Sequence, residues 1–124
     1  MKRVIKDDSL RRRKRRAFSI RKKISGTSSR PRLSVFRSNN HIYAQVIDDD
    51  AGKTITSAST KITDIKGDLN GLKKSEAAEL VGKKLAEKAQ AAGVTEVVFD
   101  RNGYPFHGRV AALAKGARDG GLQF

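Results

Sequence analysis

"RLSVFRSNNHIYAQVI", residues 32–47, is the stretch on which the fold class turns. Two short runs of branched and aromatic residues flank Ser38, Asn39 and Asn40, a turn-forming cluster, so the stretch reads as an antiparallel hairpin. Ile42, Ala44 and Val46 alternate onto one side of the second run, which marks the buried side. "DDDAGK", 48–53, supplies a second turn, and "KTITSAST", 53–60, is a Thr-rich third strand suited to a sheet edge. Residues 61–74, with Gly67 and Gly71, read as a loop. Ser75 is expected to cap "EAAELVGKKLAEKAQAA", 76–92, a helix whose Ala78, Leu80, Val81, Leu85, Ala89 and Ala92 share a face and which ends at Gly93. "TEVVFD", 95–100, is a compact apolar strand, expected parallel to the first because a helix carries the chain across. "HGRVAALAKGARDGG", 107–121, closes the unit as a helix with Val110, Leu113 and Ala117 inward. The pattern is β-β-β-α-β-α, one α/β domain over residues 30–124.

Towards the amino terminus the character changes. Residues 1–30 hold 13 basic and 2 acidic side chains, against 14 and 11 in the other 94 positions. Within this arm, residues 1–29, "LRRRKRRAFSIRKKI" (10–24) places nine cations in fifteen positions. Leu10, Ala17 and Ile24 recur every seven residues with Phe18 alongside, and Asp7, Asp8 or Ser9 can cap a start, so a helix is expected over 8–24. Self-repulsion predicts that it stays partly mobile until an anion neutralises it. Gly26-Thr27-Ser28-Ser29 reads as a flexible linker, and Arg30-Pro31 as extended chain.

A net charge of +14 on 124 residues favours a polyanion, with nucleic acid first. Arg outnumbers Lys between 11 and 16, and its planar fork suits phosphate and base contacts better than a simple charge cushion does. The absence of Cys removes disulfides and the common zinc fingers, and no apolar run reaches membrane-span length, so cytoplasm is the default expectation. As a membrane-surface or groove-binding helix the arm has too thin an apolar stripe and no Trp.

Enzymatic readings are weak. "GYPFHGRV", 103–110, has glycines at the Walker spacing, but Arg109 and Val110 replace the lysine and hydroxyl, and Tyr104, Pro105 and Phe106 crowd the loop. It reads better as a phosphate-contacting turn or a plain helix cap. His41 and His107 have no regularly spaced carboxylate or thiol partners, which argues against metal ligation. "DDD", 48–50, lacks the ligand spacing of a calcium loop and reads as a solvated turn.

The residues also carry a resemblance. "RPRLSVFRSNNHIYAQVIDD", then "SAST", then "VVFDRNGYPFHGRVAALAKGARDGGLQF" resemble the bacterial type of large-subunit ribosomal protein eighteen, over nearly the whole chain. The resemblance implies a three-layer mixed-sheet domain of ribonuclease-H-like motif with strand order 3-2-1-4, no catalytic role, no cofactor and no metal. It implies binding of 5S rRNA and its attachment to 23S rRNA in the central protuberance, beside other large-subunit proteins, with neither membrane nor small-molecule substrate as partner. Carried over by position, the RNA-binding residues are Arg11, Arg12, Arg13, Lys14, Arg15, Arg16, Arg21, Lys22 and Lys23 of the arm, with Arg30 and Arg32 after it. Arg37, Ser38, Asn39, Asn40, His41 and Tyr43 come from the hairpin, and Arg101, Tyr104, His107 and Arg109 from the strand-to-helix turn. Asn40 stands where many relatives have lysine, and Asn102 where they have a second glycine, which a left-handed Asn can replace.

Overall fold

The computed structural model describes residues 2–39, 41–60 and 73–124. Its elements are α1 (Lys2–Lys23), β1 (Arg32–Arg37), β2 (Ile42–Asp48), β3 (Lys53–Ser59), α2 (Lys74–Ala91), β4 (Val98–Asp100) and α3 (Gly108–Asp119). The four strands form one mixed sheet in the order β3-β2-β1-β4, with β4 parallel to β1 and the other pairs antiparallel, as expected. The predicted loop at 61–74 falls, up to residue 72, outside the described residues, as does Asn40.

Alternation in the hairpin sets which face is buried. Leu33, Val35, Ile42, Ala44 and Val46 are almost fully buried, and they pack with Ala78, Val81, Leu85 and Ala89 of α2 and Val110, Leu113 and Ala117 of α3. α2 and α3 approach closely because both carry glycine at the crossing. A Cβ on Gly82 would run into the Leu113 carbonyl, and one on Gly116 into the Glu79 carbonyl. Of the face expected on α2, Leu80 is half-buried and Ala92 exposed, while Gly82 and Ala86 are buried in their place.

Four expectations are corrected. α1 begins at Lys2, running straight through Asp7, Asp8 and Ser9, because no Gly or Pro interrupts residues 2–23. Ser75 lies inside α2; its N-cap is the extended Lys73, without a side-chain cap, and the Lys73 carbonyl accepts from Ala77 N–H. "TEVVFD" is strand only over Val98–Asp100, because its first half pairs with the carboxyl-terminal tail: Gln123 N–H donates to Thr95 O, and Val97 N–H to Gln123 O. Gly26-Thr27-Ser28-Ser29 is no loose linker. Gly26 N–H donates to Asp49 Oδ2 at 2.6 Å, its carbonyl accepts from Asp49 N–H, and a Cβ at Gly26 would collide with Arg32 and the Ile47 carbonyl.

Candidate nucleic-acid interface

One end of the sheet gathers the end of β1, the turn after β4 and the middle of α1. The turn reverses through two left-handed residues, Asn102 (φ 52°) and Gly103 (φ 78°), and Asp100 Oδ1 accepts Asn102 N–H at 2.9 Å. Asn102 thus adopts the conformation anticipated for it. At Gly103 the absence of a side chain matters twice, since a Cβ there would also strike the Arg13 carbonyl and lie 3.0 Å from Ala17 N. The arm helix therefore sits directly on this turn. Arg16 Nε donates to Gly103 O at 2.9 Å, and the Arg13 guanidinium lies 4.7 Å from the Tyr104 ring centre.

Tyr104 joins these parts. Its hydroxyl accepts from Arg37 N–H at 3.3 Å and donates to Arg37 O at 3.2 Å, while the Arg37 guanidinium lies 5.0 Å from its ring centre. Only 6% of Tyr104 is exposed, so it fastens arm to body and offers no open face for a base. Arg101 NH1 donates to Tyr104 O at 2.8 Å and steadies the same turn.

A second polar joint lies beneath the arm's end. Arg32 bridges Asp49 (3.1 Å) and Asp100 (2.8 Å), and Arg21 stands 3.6 Å from Asp49. The hydrogen bond from Arg32, the Gly26 amide and both cations hold the Asp49 carboxyl below its ordinary range against the opposing effect of burial. Asp48 is also committed, its Oδ1 accepting the Asp50 and Ala51 amides, so the acidic triplet is a structural turn.

The other positions divide clearly. Arg11, Arg12, Lys14, Arg15 and Arg16 of α1 are exposed, as are Arg30, Ser38, Asn39 and His107; Arg37, Tyr43, Arg101 and Arg109 are half-buried. Ser38 and His41 close the hairpin turn, with Ser38 N–H donating to His41 O at 2.8 Å, and His41 Nδ1 is 2.8 Å from Thr60 Oγ1. Arg32, with its side chain 12% exposed, is a strut of the fold. The side chains of Lys22 and Lys23 lie outside the described residues. No group of three potential metal ligands occurs among the described residues, and no helix among them is long and apolar enough to cross a membrane.

Set against known proteins, residues 7–124 match the family described as Ribosomal L18 of archaea, bacteria, mitochondria and chloroplast. The chain belongs to that family. Its relatives include Large ribosomal subunit protein uL18 of Herpetosiphon aurantiacus, 59% identical over 112 residues that cover 90% of this chain and 93% of that one. The protein of the same name from Bacillus cereus is 55% identical over 121 residues, covering 98% and 99%. That of a Synechococcus species is 56% identical over 121 residues, covering 98% of each.

Two aromatics of this L18-family chain were not among the expected RNA-binding residues. Phe36, 48% exposed, lies 5.7 Å from Tyr43 on the sheet face away from α2 and α3, in a groove with Ser34 and Gln45; strand alternation with buried Leu33 and Val35 was the available signal. Phe106, 49% exposed, sits edge-on to Phe99 at 5.6 Å in the turn itself. The docking of the arm is testable at Gly103. Gly103→Ala puts a Cβ against the Arg13 carbonyl, a clash that undocking α1 relieves, while the strain of a left-handed alanine, about 1–2 kcal/mol, stays with the turn. Trypsin should then cut the arm roughly tenfold faster while the body melts only several degrees lower, each 1.4 kcal/mol being about a factor of ten; unchanged cleavage would mean that the helix is held elsewhere.

Proposed function

We propose that this chain binds 5S rRNA and helps attach it to 23S rRNA in the central protuberance of the large ribosomal subunit, with residues 1–29 as a basic arm and 30–124 as the recognising body. As a member of a ribosomal protein family it is a structural component of the ribosome rather than an enzyme. The observation that carries the RNA reading is the arm's placement: α1 is seated on the Gly103–Tyr104 turn while Arg11, Arg12, Lys14 and Arg15 stay exposed. A row of cations fixed against a rigid turn can match phosphates at defined positions, whereas a loose tail supplies only affinity. The hairpin tip, with Ser38, Asn39 and His41, and the turn, with His107 and Arg109, add polar and charged groups at the same end of the sheet. RNA helices hide base edges in a deep groove, so such groups would read backbone shape, 2′-hydroxyls and unpaired bases.

The test is a salt series with purified 5S rRNA, using transfer RNA and duplex DNA as competitors. Preference for 5S rRNA that survives as salt rises is the expected result. Equal loss for all three would reduce the arm to a general polyanion anchor.

A further inference from the structure

We propose that the outward face of α1 stacks an unpaired RNA base on Phe18, with Arg11, Lys14 and Arg15 contacting the phosphates beside it. The proposal rests on the RNA-binding reading above and adds a mode of contact that this reading leaves open. α1 has two distinct sides. Arg13, Arg16 and Ala17 meet the Gly103–Tyr104 turn. Phe18 turns about 100° from Ala17, and Arg11, Lys14 and Arg15 precede it by seven, four and three residues, which returns them to its own side of the helix.

Phe18 is 64% exposed, more than Leu10, Phe36 or Phe106. A single exposed apolar side chain is ordinary. This one lines a shallow depression of about 420 Å³ whose other walls are Arg11, Lys14, Arg15 and Ser19. An apolar protein surface would have to desolvate those cations to reach the ring, and an anionic membrane, which could pair them, would meet a single ring with only a thin apolar stripe beside it. An unpaired nucleotide fits without that cost, because it presents a flat π-face to the ring and a phosphate to the guanidinium groups. Stacking of this kind tolerates any base, so it would grip loops and bulges and leave a continuous duplex to the charges alone.

The chain contains no Trp, so Phe18→Trp introduces a single fluorescent reporter at the site. With the full chain, oligoadenylate should quench its emission and a blunt RNA duplex of equal length should not. Phe18→Ala, which keeps every cation and a strong helix former, should lower affinity for oligoadenylate by about tenfold at fixed salt and leave duplex affinity unchanged. Equal quenching by both RNAs, or an unchanged affinity of Phe18→Ala for oligoadenylate, would overturn the proposal and leave the ring to a protein neighbour. Both probes lack any 5S rRNA sequence. A failed 5S preference in the salt series would therefore count against the proposed function while leaving the stacking result to stand.

Discussion

Arg32→Met is expected to destabilise the fold by about 3–5 kcal/mol, the usual cost of removing one partner from a buried ion pair. Asp100 is 1% exposed, and the Arg32 guanidinium at 2.8 Å is its only cation among the described ion pairs. Met fills a similar volume but leaves that carboxylate in the interior without its counter-charge. The loss spreads, because Arg32 on β1 also holds Asp49, just past β2, and Asp49 in turn holds the Gly26 amide. One side chain thus ties the sheet's two central strands to β4 and to the end of the arm. Thermal unfolding followed by circular dichroism should show a melting temperature lower by roughly 10–25 °C. Arg32→Met combined with Asp100→Leu should recover part of the loss, since the orphaned charge is then gone as well. A drop below about 1 kcal/mol for the single substitution would mean that the bridge is ornamental.

The same joint fixes a dependence on pH. The Asp49 carboxyl is held below its ordinary value, chiefly by the Arg32 hydrogen bond, so its contribution is complete above the unfolded value of about 3.9 and disappears as pH falls through the lower folded value. Urea unfolding from pH 7 down to 3 should show the parent losing stability over that acid window. The gap between parent and Arg32→Met should narrow there, because the variant lacks the main cause of the lowered value.

Local signals were readable in the sequence and long-range ones were not. β1 was legible to the residue, and the inward set Ile42, Ala44 and Val46 followed from alternation alone. Arg32 looked like one more RNA-facing cation, because its partners stand 17 and 68 residues away and only the folded sheet brings them together. Tyr104 was visible as an aromatic in a glycine turn, yet its burial depends on Arg13 and Arg37 arriving from two other elements. β4 was read too long for a related reason: the tail that takes over its first half lies near the far end of the chain. Gly82 and Gly116 each look like a weak point in a helix until the two helices are placed against one another.

Removal of residues 1–25 should produce the largest change in RNA binding, and its salt dependence separates two roles of the arm. The segment carries 12 basic and 2 acidic side chains. Counting only four of the exposed cations, Arg11, Arg12, Lys14 and Arg15, as phosphate contacts, the slope of log affinity against log salt should shrink by about 3.6, at roughly 0.9 per contact. Between 50 and 200 mM salt the advantage of the intact chain should therefore fall by roughly a hundredfold. Gly103→Ala keeps every one of those charges and chiefly disturbs where they are held. It should leave the salt slope nearly intact while narrowing any preference for 5S rRNA over transfer RNA, because an undocked helix can still collect phosphates but no longer presents them in register with the hairpin and the turn. If the deletion leaves the slope unchanged, the body carries the electrostatic contacts. If Gly103→Ala leaves the preference unchanged, the seating of α1 on Tyr104 serves stability and not recognition.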